Sequence, residues 1–299
     1  MRIDWPVRSV LARLLSVVCV AVFGAAACGG GGEPAPAPAA EEPAVAEESL
    51  KLYVFECGRL RFDTVERFSI ADDETEVREL IVPCYVVDHP AGTLLWDGGL
   101  PSAVAETEGW SDSGQRLDRT LAEQLAEYDL GVDLGSFDYV AFSHIHFDHV
   151  GVAGELTGGT WLVQQGDLDA AFPEGPGAEA AEPLLDNMRN LERMVLDGDH
   201  DVFGDGRVQI VSAPGHTPGH QVLFLDLAET GPLVLSGDLY HFRLSREERR
   251  VPTFNFDAEM TLESMEKVEA FVAERNATFW IEHDLALFET LRTAPAFYE

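Results

Sequence analysis

Val140-Ala-Phe-Ser-His-Ile-His-Phe-Asp-His-Val-Gly151 decides how the rest of the chain is read. A short apolar strand runs into a loop that carries His144, His146, Asp148 and His149, four metal-competent side chains within six residues. Imidazole and carboxylate are the ordinary ligands of zinc and related divalent ions. So dense a cluster at a strand end is hard to explain as packing. Sites of this kind draw further ligands from other strand ends that open on the same cleft. Three candidates stand in such places: His216 after the apolar run 208–212, Asp238 after 233–236, and His283 after 279–281.

The 299 residues are 46% hydrophobic, enough for one sizeable α/β core. The formal charge is −33, from 53 acidic against 20 basic residues. A phosphate backbone wants a basic surface, so nucleic acid is excluded as a partner class. The acidity fits a heavily solvated surface or adaptation to high salt, and composition leaves both open.

Residues 1–27 read as an export leader, with Arg2, Arg8 and Arg13 ahead of a mostly apolar run over 10–27 that is too short and too early for a membrane span. It ends Gly24-Ala-Ala-Ala-Cys28, which resembles a bacterial lipobox with Cys28 as the lipidated residue; simple cleavage near Ala27 is the alternative. Residues 28–49, rich in Gly, Pro, Ala and Glu, form a solvated tether that cannot build a core. The expected protein is exported and lipid-anchored to a bacterial membrane, periplasmic or at the cell surface, touching lipid only through that anchor. The catalytic domain is placed at 50–299. Cys57 and Cys84 lie in apolar strand-like runs, and either a disulfide or two buried thiols suits an exported chain.

Period-two patterns place strands at 50–57, 79–88 and 93–97, the last two joined by a turn at His89-Pro-Ala-Gly92. The broken, charged segment 59–79 reads as a loop or lid. Asp97, at a strand end beside Gly98 and Gly99, is placed to accept a histidine N–H or to cap a turn. Helical spacing predicts helices over 116–128 and 261–274, and a further one over 182–195 in an acidic stretch, 166–200, that could cap a pocket. Strands are expected at 137–142, 160–164, 208–212, 222–226, 233–236 and 279–283.

With these motifs in place, the chain resembles the metallo-β-lactamase superfamily: Ser143-His-x-His-x-Asp-His149-x-Gly151, Gly215-His216-Thr-Pro-Gly-His220, Gly237-Asp238 and Glu282-His283-Asp284 match its signals. Within it, Leu94-Leu-Trp-Asp-Gly-Gly-Leu100, His146-Phe-Asp-His149 and Gly237-Asp-Leu-Tyr-His-Phe242, continuing to Arg250-Val-Pro-Thr-Phe-Asn255, resemble the quorum-quenching N-acyl homoserine lactonases. The resemblance implies an α/β (α+β) fold, a four-layer αββα sandwich. It implies two divalent metal ions, zinc favoured, with cobalt, iron or manganese also suited to the ligands. His144, His146 and His216 would hold one ion; Asp148, His149 and His283 the other; Asp238 would bridge them. A metal-bridging hydroxide would attack the carbonyl of a small lactone, with Asp238 passing a proton to the leaving alkoxide.

Tyr240 is the candidate for a hydrogen bond to the substrate carbonyl. It stands two residues after the bridging Asp, where relatives have a tyrosine three after, so His241 is an alternative occupant. His220 reads as a supporting residue, His89 and His200 as turn or surface histidines, and Phe147 as a packing residue. Oligomeric state is left open, a homodimer included. The rival functions are a glyoxalase II-like thioesterase or another ester or lactam hydrolase of the same fold, and a metal-bound protein without catalysis.

Overall fold

The computed structural model describes residues 49–174 and 183–299. The leader, the lipidated Cys28 and nearly all of the tether lie outside the described residues. Among those described, no helix is long and apolar enough to cross a membrane.

The first sheet is built from β1 (Lys51–Arg61), β2 (Glu79–His89), β3 (Gly92–Trp96), β4 (Gln115–Arg116), β5 (Tyr139–Ala141), β6 (Thr160–Gln164) and β7 (Arg193–Leu196). The second contains β8 (His200–Asp201), β9 (Val208–Ser212), β10 (Gln221–Leu227), β11 (Gly231–Leu235) and β12 (Thr278–Trp280). The C-terminal β13 (Phe297–Tyr298) returns to the first sheet, whose order is β13-β1-β2-β3-β5-β6-β7 with β4 on β1; the second runs β12-β11-β10-β9-β8. Helices α1 (Leu121–Tyr128), α2 (Gln165–Ala171), α3 (Arg243–Glu248), α4 (Ala258–Arg275) and α5 (Leu285–Phe288) complete the set.

Alternation in the strands dictates the layers. In β1, Leu52 and Val54 face the second sheet, while Tyr53, Phe55 and Cys57 face the opposite way toward Leu121 and Leu125 of α1. In β10, Leu223, Leu225 and Leu227 meet the first sheet, while Val222 and Phe224 pack under Met265, Val268 and Val272 of α4. β1 and β10 are thus buried on both faces, and each such side chain contributes roughly 1.5–3 kcal/mol of transfer free energy. The result is the αββα sandwich that the resemblance implies.

Helix boundaries follow their caps. The pattern over 116–128 begins as helix only at Leu121, because Gln115 and Arg116 pair with Leu60 and Arg59 and Thr120 forms a capping box with Glu123. The helix expected over 261–274 starts earlier, at Ala258, where the Asp257 carboxylate accepts from Met260 N–H; it stops at Asn276 in the left-handed conformation. Among the described residues of 182–195, which begin at 183, the expected α-helix is absent. Its place is taken by a 3-10 segment, Pro183–Asn190, and by β7, whose backbone pairs with β6 over Arg193–Leu196. Pairing of this edge strand overrides the local helical spacing. The loop expected from 59 is also shorter, since β1 continues past a bulge to Arg61. Cys57 and Cys84, on neighbouring strands with Cα atoms 5.7 Å apart, are disulfide-bonded.

Candidate metal centre

Five strand ends meet at one edge of the sandwich. β5 delivers 142–149, β3 delivers Asp97, β9 delivers His216, β11 delivers Asp238 and β12 delivers His283. Close approach of the β11 end requires Gly237: its φ is +47°, and a Cβ there would lie 2.6 Å from the Ser143 Cβ and 2.8 Å from His220 Nε2.

The seven expected ligands come together in two groups. His144, His146 and His216 gather with Asp238, while Asp148, His149 and His283 gather beside them. Asp238 faces both. Its Oδ2 lies 3.1 Å from His216 Nε2 and 3.5 Å from His144 Nε2; its Oδ1 lies 2.8 Å from His283 Nε2 and 3.4 Å from His149 Nε2. Within the first group, His146 Nδ1 is 2.9 Å from His144 Nε2 and 3.0 Å from His216 Nε2.

These residues fit divalent ions. His149 Nε2 is buried without a hydrogen-bond partner, a costly arrangement that a cation between it and Asp238 would relieve. Burial pushes the His144 imidazole well below its ordinary pKa and His146 down to about 4, so both are neutral ligands at neutral pH. Burial also opposes charge on His149 and His283, but Asp238 and its neighbours outweigh it, raising His149 well above the usual value and His283 to about 9. Asp238 itself resists the upward push of burial because His241, His283 and His149 hold it ionised.

A second layer of groups aims the imidazoles, as metal-binding histidines require. Asp97, held at φ +57°, accepts Ser143 N–H at 2.6 Å through Oδ1 and places Oδ2 3.2 Å from His149 Nδ1, the role expected of it. His283 Nδ1 donates to the Ile81 carbonyl at 2.6 Å. His216 Nδ1 lies 2.9 Å from Asn255 Oδ1, whose amide donates to Thr261 Oγ1. His220 supports rather than faces the cleft: its Nδ1 donates to the Ala213 carbonyl at 3.0 Å, and its Nε2 accepts from Asp238 N–H at 2.9 Å. The buried Asp167 carboxylate accepts from Gly219 N–H at 2.6 Å and from Thr217 Oγ1 at 2.9 Å, pinning the turn after His216. Burial raises its pKa to about 6. Asn255 ends the Arg250–Asn255 run of the resemblance, which gave it no role, and Asp167 is a supporting residue that no sequence motif singles out.

The placement of Tyr240 differs from expectation. Its ring packs against Phe279 in the core beneath α4, and its hydroxyl bonds Glu269. The backbone at Tyr240 is extended, so successive side chains point to opposite faces, and His241 is the one that turns inward. His241 Nε2 lies 2.9 Å from Asp238 Oδ2, and its ring sits between those of His216 and His283, at 5.2 and 5.7 Å. His89 stands at the β2–β3 turn, as expected, and is buried there, stacked on Phe203 and 2.9 Å from an Asp205 oxygen.

A cavity of about 350 Å³ opens over the centre, lined by His146, Asp148, Asp238, His241 and His283 on its floor. Leu60, Phe62, Phe68, Leu80 and Phe254 make apolar walls. Its cover comes from the 59–79 segment and from Ser113–Gln115; none of the described residues of 166–200 lines it. Phe147, expected to pack, is 36% exposed and stands on the cavity rim.

A family model for the metallo-beta-lactamase superfamily matches residues 77–277. The chain belongs to this superfamily. Among curated metallo-beta-lactamase relatives, N-acyl homoserine lactonase AttM of Agrobacterium fabrum is 28% identical over 262 residues, covering 83% of this chain and 98% of AttM. N-acyl homoserine lactonase AiiA of Bacillus thuringiensis subsp. kurstaki is 28% identical over 257 residues, with the same coverage. A solved N-acyl homoserine lactone hydrolase, with the product N-hexanoyl-L-homoserine bound at its catalytic metal centre, aligns at TM-score 0.66 and 25% identity over 83% of this chain and 99% of that one. The dizinc quorum-quenching lactonase AidC shares the metallo-beta-lactamase fold at TM-score 0.58 and 16% identity, over 84% of this chain and 94% of its own.

Proposed function

We propose that this protein is a dinuclear metal-dependent hydrolase that opens the ring of N-acyl homoserine lactones. The observation that carries the proposal is Asp238, whose two carboxylate oxygens face two separate groups of buried ligands under an apolar-walled cavity. His144, His146 and His216 would hold one ion, and Asp148, His149 and His283 the other. Imidazole-rich sets with few carboxylates favour zinc. Two such ions supply Lewis acidity and lower the pKa of a coordinated water from 15.7 to about 7.

The chain's own groups do the rest. Asp97, Asn255 and the Ile81 carbonyl fix the imidazoles, so no reorganisation is needed during reaction. Hydrolysis of a lactone requires a proton to leave the attacking water and another to reach the departing ring oxygen. Asp238 stands where both transfers occur, with its carboxylate kept ionised. His241 rests on Asp238 Oδ2 and leaves a buried, unpartnered Nδ1. The cavity walls hold the acyl chain and keep bulk water from the carbonyl. No serine or cysteine nucleophile is required.

The likeness to AttM and AiiA over nearly their whole lengths supports lactones over glutathione thioesters and β-lactams. Zinc-loaded protein assayed against N-hexanoyl homoserine lactone, a glutathione thioester and nitrocefin should open only the lactone, and a chelator should abolish that activity. A lactone left intact by metal-replete protein would sink the proposal.

Export and lipidation at Cys28 belong to the same reading. The basic-then-apolar leader supports them, and a Cys57–Cys84 disulfide suits an oxidising compartment. Full-length protein should fractionate with membranes and Cys28→Ala should not; equal fractionation of the two refutes the anchor.

A further inference from the structure

Two arginines at the cavity have unspent charge. Among the described residues, Arg59, Arg78, Arg116, Arg119, Arg189, Arg207, Arg243, Arg246 and Arg250 each pair with a neighbouring carboxylate. Arg61 and Arg67 both line the cavity over the metal centre, and among the described residues neither makes an ion pair with a carboxylate. Their guanidiniums rest on aromatic faces instead. Arg61 lies 4.5 Å from the Trp110 ring centroid, and Arg67 lies 4.3 Å from that of Phe254.

Both are anchored by their backbones rather than by salt bridges. Arg61 N–H donates to the Gly114 carbonyl at 2.7 Å, and the Arg67 carbonyl accepts from Thr253 N–H at 2.8 Å. A cation–π contact steadies each guanidinium while leaving N–H donors to bind an anion. A guanidinium edge presents parallel donors that match the two oxygens of a carboxylate. The metal ligands lie at the floor of the same cavity, so a substrate whose carbonyl is at the floor directs its acyl chain along walls bearing these two cations.

Resting on the lactonase reading, we propose that Arg61 and Arg67 are specificity-determining residues that select acyl groups carrying a carboxylate at their far end. The chain's overall negative charge opposes an anion only at long range, since charges separated by more than about 8 Å are largely screened at physiological ionic strength. Arg61 and Arg67 are exposed at the cavity wall, where direct contact with the guanidiniums decides.

The test uses zinc-loaded protein and two lactones of matched length, N-hexanoyl and N-adipoyl homoserine lactone, the second ending in a carboxylate. The kcat/KM ratio of adipoyl to hexanoyl substrate should be about ten, the worth of a charge-assisted hydrogen bond. It should fall toward one in the Arg61→Gln/Arg67→Gln double variant and shrink with added salt. Hexanoyl turnover within each preparation reports that the variant is folded and metal-loaded. A wild-type ratio of one or less, or a ratio unchanged in the double variant, overturns the assignment. If neither lactone is opened, the lactonase reading fails instead. The selection is then decided by calorimetric binding of the ring-opened N-adipoyl and N-hexanoyl homoserines to wild-type and double-variant protein. Equal affinities in the wild type, or a preference that survives in the variant, overturn it.

Discussion

The two ligand groups on either side of Asp238 are electrostatic opposites. Around His144 and His146, burial dominates and the imidazoles are neutral. Around His149 and His283, the carboxylates of Asp238, Asp97 and Asp148 outweigh burial and hold the imidazoles protonated when no ion is bound. The first group is prepared to accept a cation directly. The second must first release protons, so its affinity is tied to pH. One sandwich edge thus carries two sites of similar donor chemistry with different loading behaviour, and the cause is how many carboxylates stand behind each.

The largest test of that contrast removes what the two halves share. Asp238→Asn should lower kcat/KM by about 10²–10³-fold, the scale for losing a group that meets developing charge, and should reduce the metal content of both groups. Retention of two tightly bound ions, by elemental analysis, would show that Asp238 does not join the halves. Removing one ligand from a single half is more selective. His283→Ala should leave about one ion per chain, held by the first group, and His146→Ala should leave one in the second. Both variants losing both ions would mean that the groups load as a unit.

The pH dependence sharpens the same point. In chelator-treated protein the His283 pKa is about 9 in the folded state against an ordinary 6.5. The folded state then binds more protons than the unfolded state between these values. The stability His283 contributes is therefore complete below pH 6.5 and disappears as pH rises toward 9. Urea midpoints of metal-free protein should fall across that window, and His283→Ala should flatten the fall. A midpoint that rises over pH 6.5–9 contradicts this. The smallest effects fall on the supporting groups: Asp97→Asn should weaken the second group and Asn255→Ala the first, each by about 10–100-fold in metal affinity. Crossed effects, read by competition with a metal-sensitive dye, would erase the distinction between the halves.

The strands and the clustered ligands were legible because each signal is local. His144, His146, Asp148 and His149 share one loop, and His216, Asp238 and His283 each follow an apolar strand. What escaped depends on the backbone's path or on distant partners. Tyr240 and His241 differ by one residue, and only the extended backbone after the Gly237–Leu239 turn determines which faces Asp238. Asn255 is 39 residues from His216, and Asp167 is 52 from Gly219, with nothing in either local sequence to mark the pairing. The segment at 193–196 has helical spacing, yet it pairs with β6, a preference no local window contains.

The first sheet supplies His144, His146, Asp148 and His149, while the strands of the second lead to His216, Asp238 and His283. Ions held by both sets would therefore rivet two layers that otherwise adhere through side-chain burial. Each tenfold rise in free metal above its dissociation constant adds about 1.4 kcal/mol to the docked state. Separating the sheets would require breaking coordination bonds as well as exposing apolar surface, so metal loading should set how long the enzyme survives as well as how fast it works.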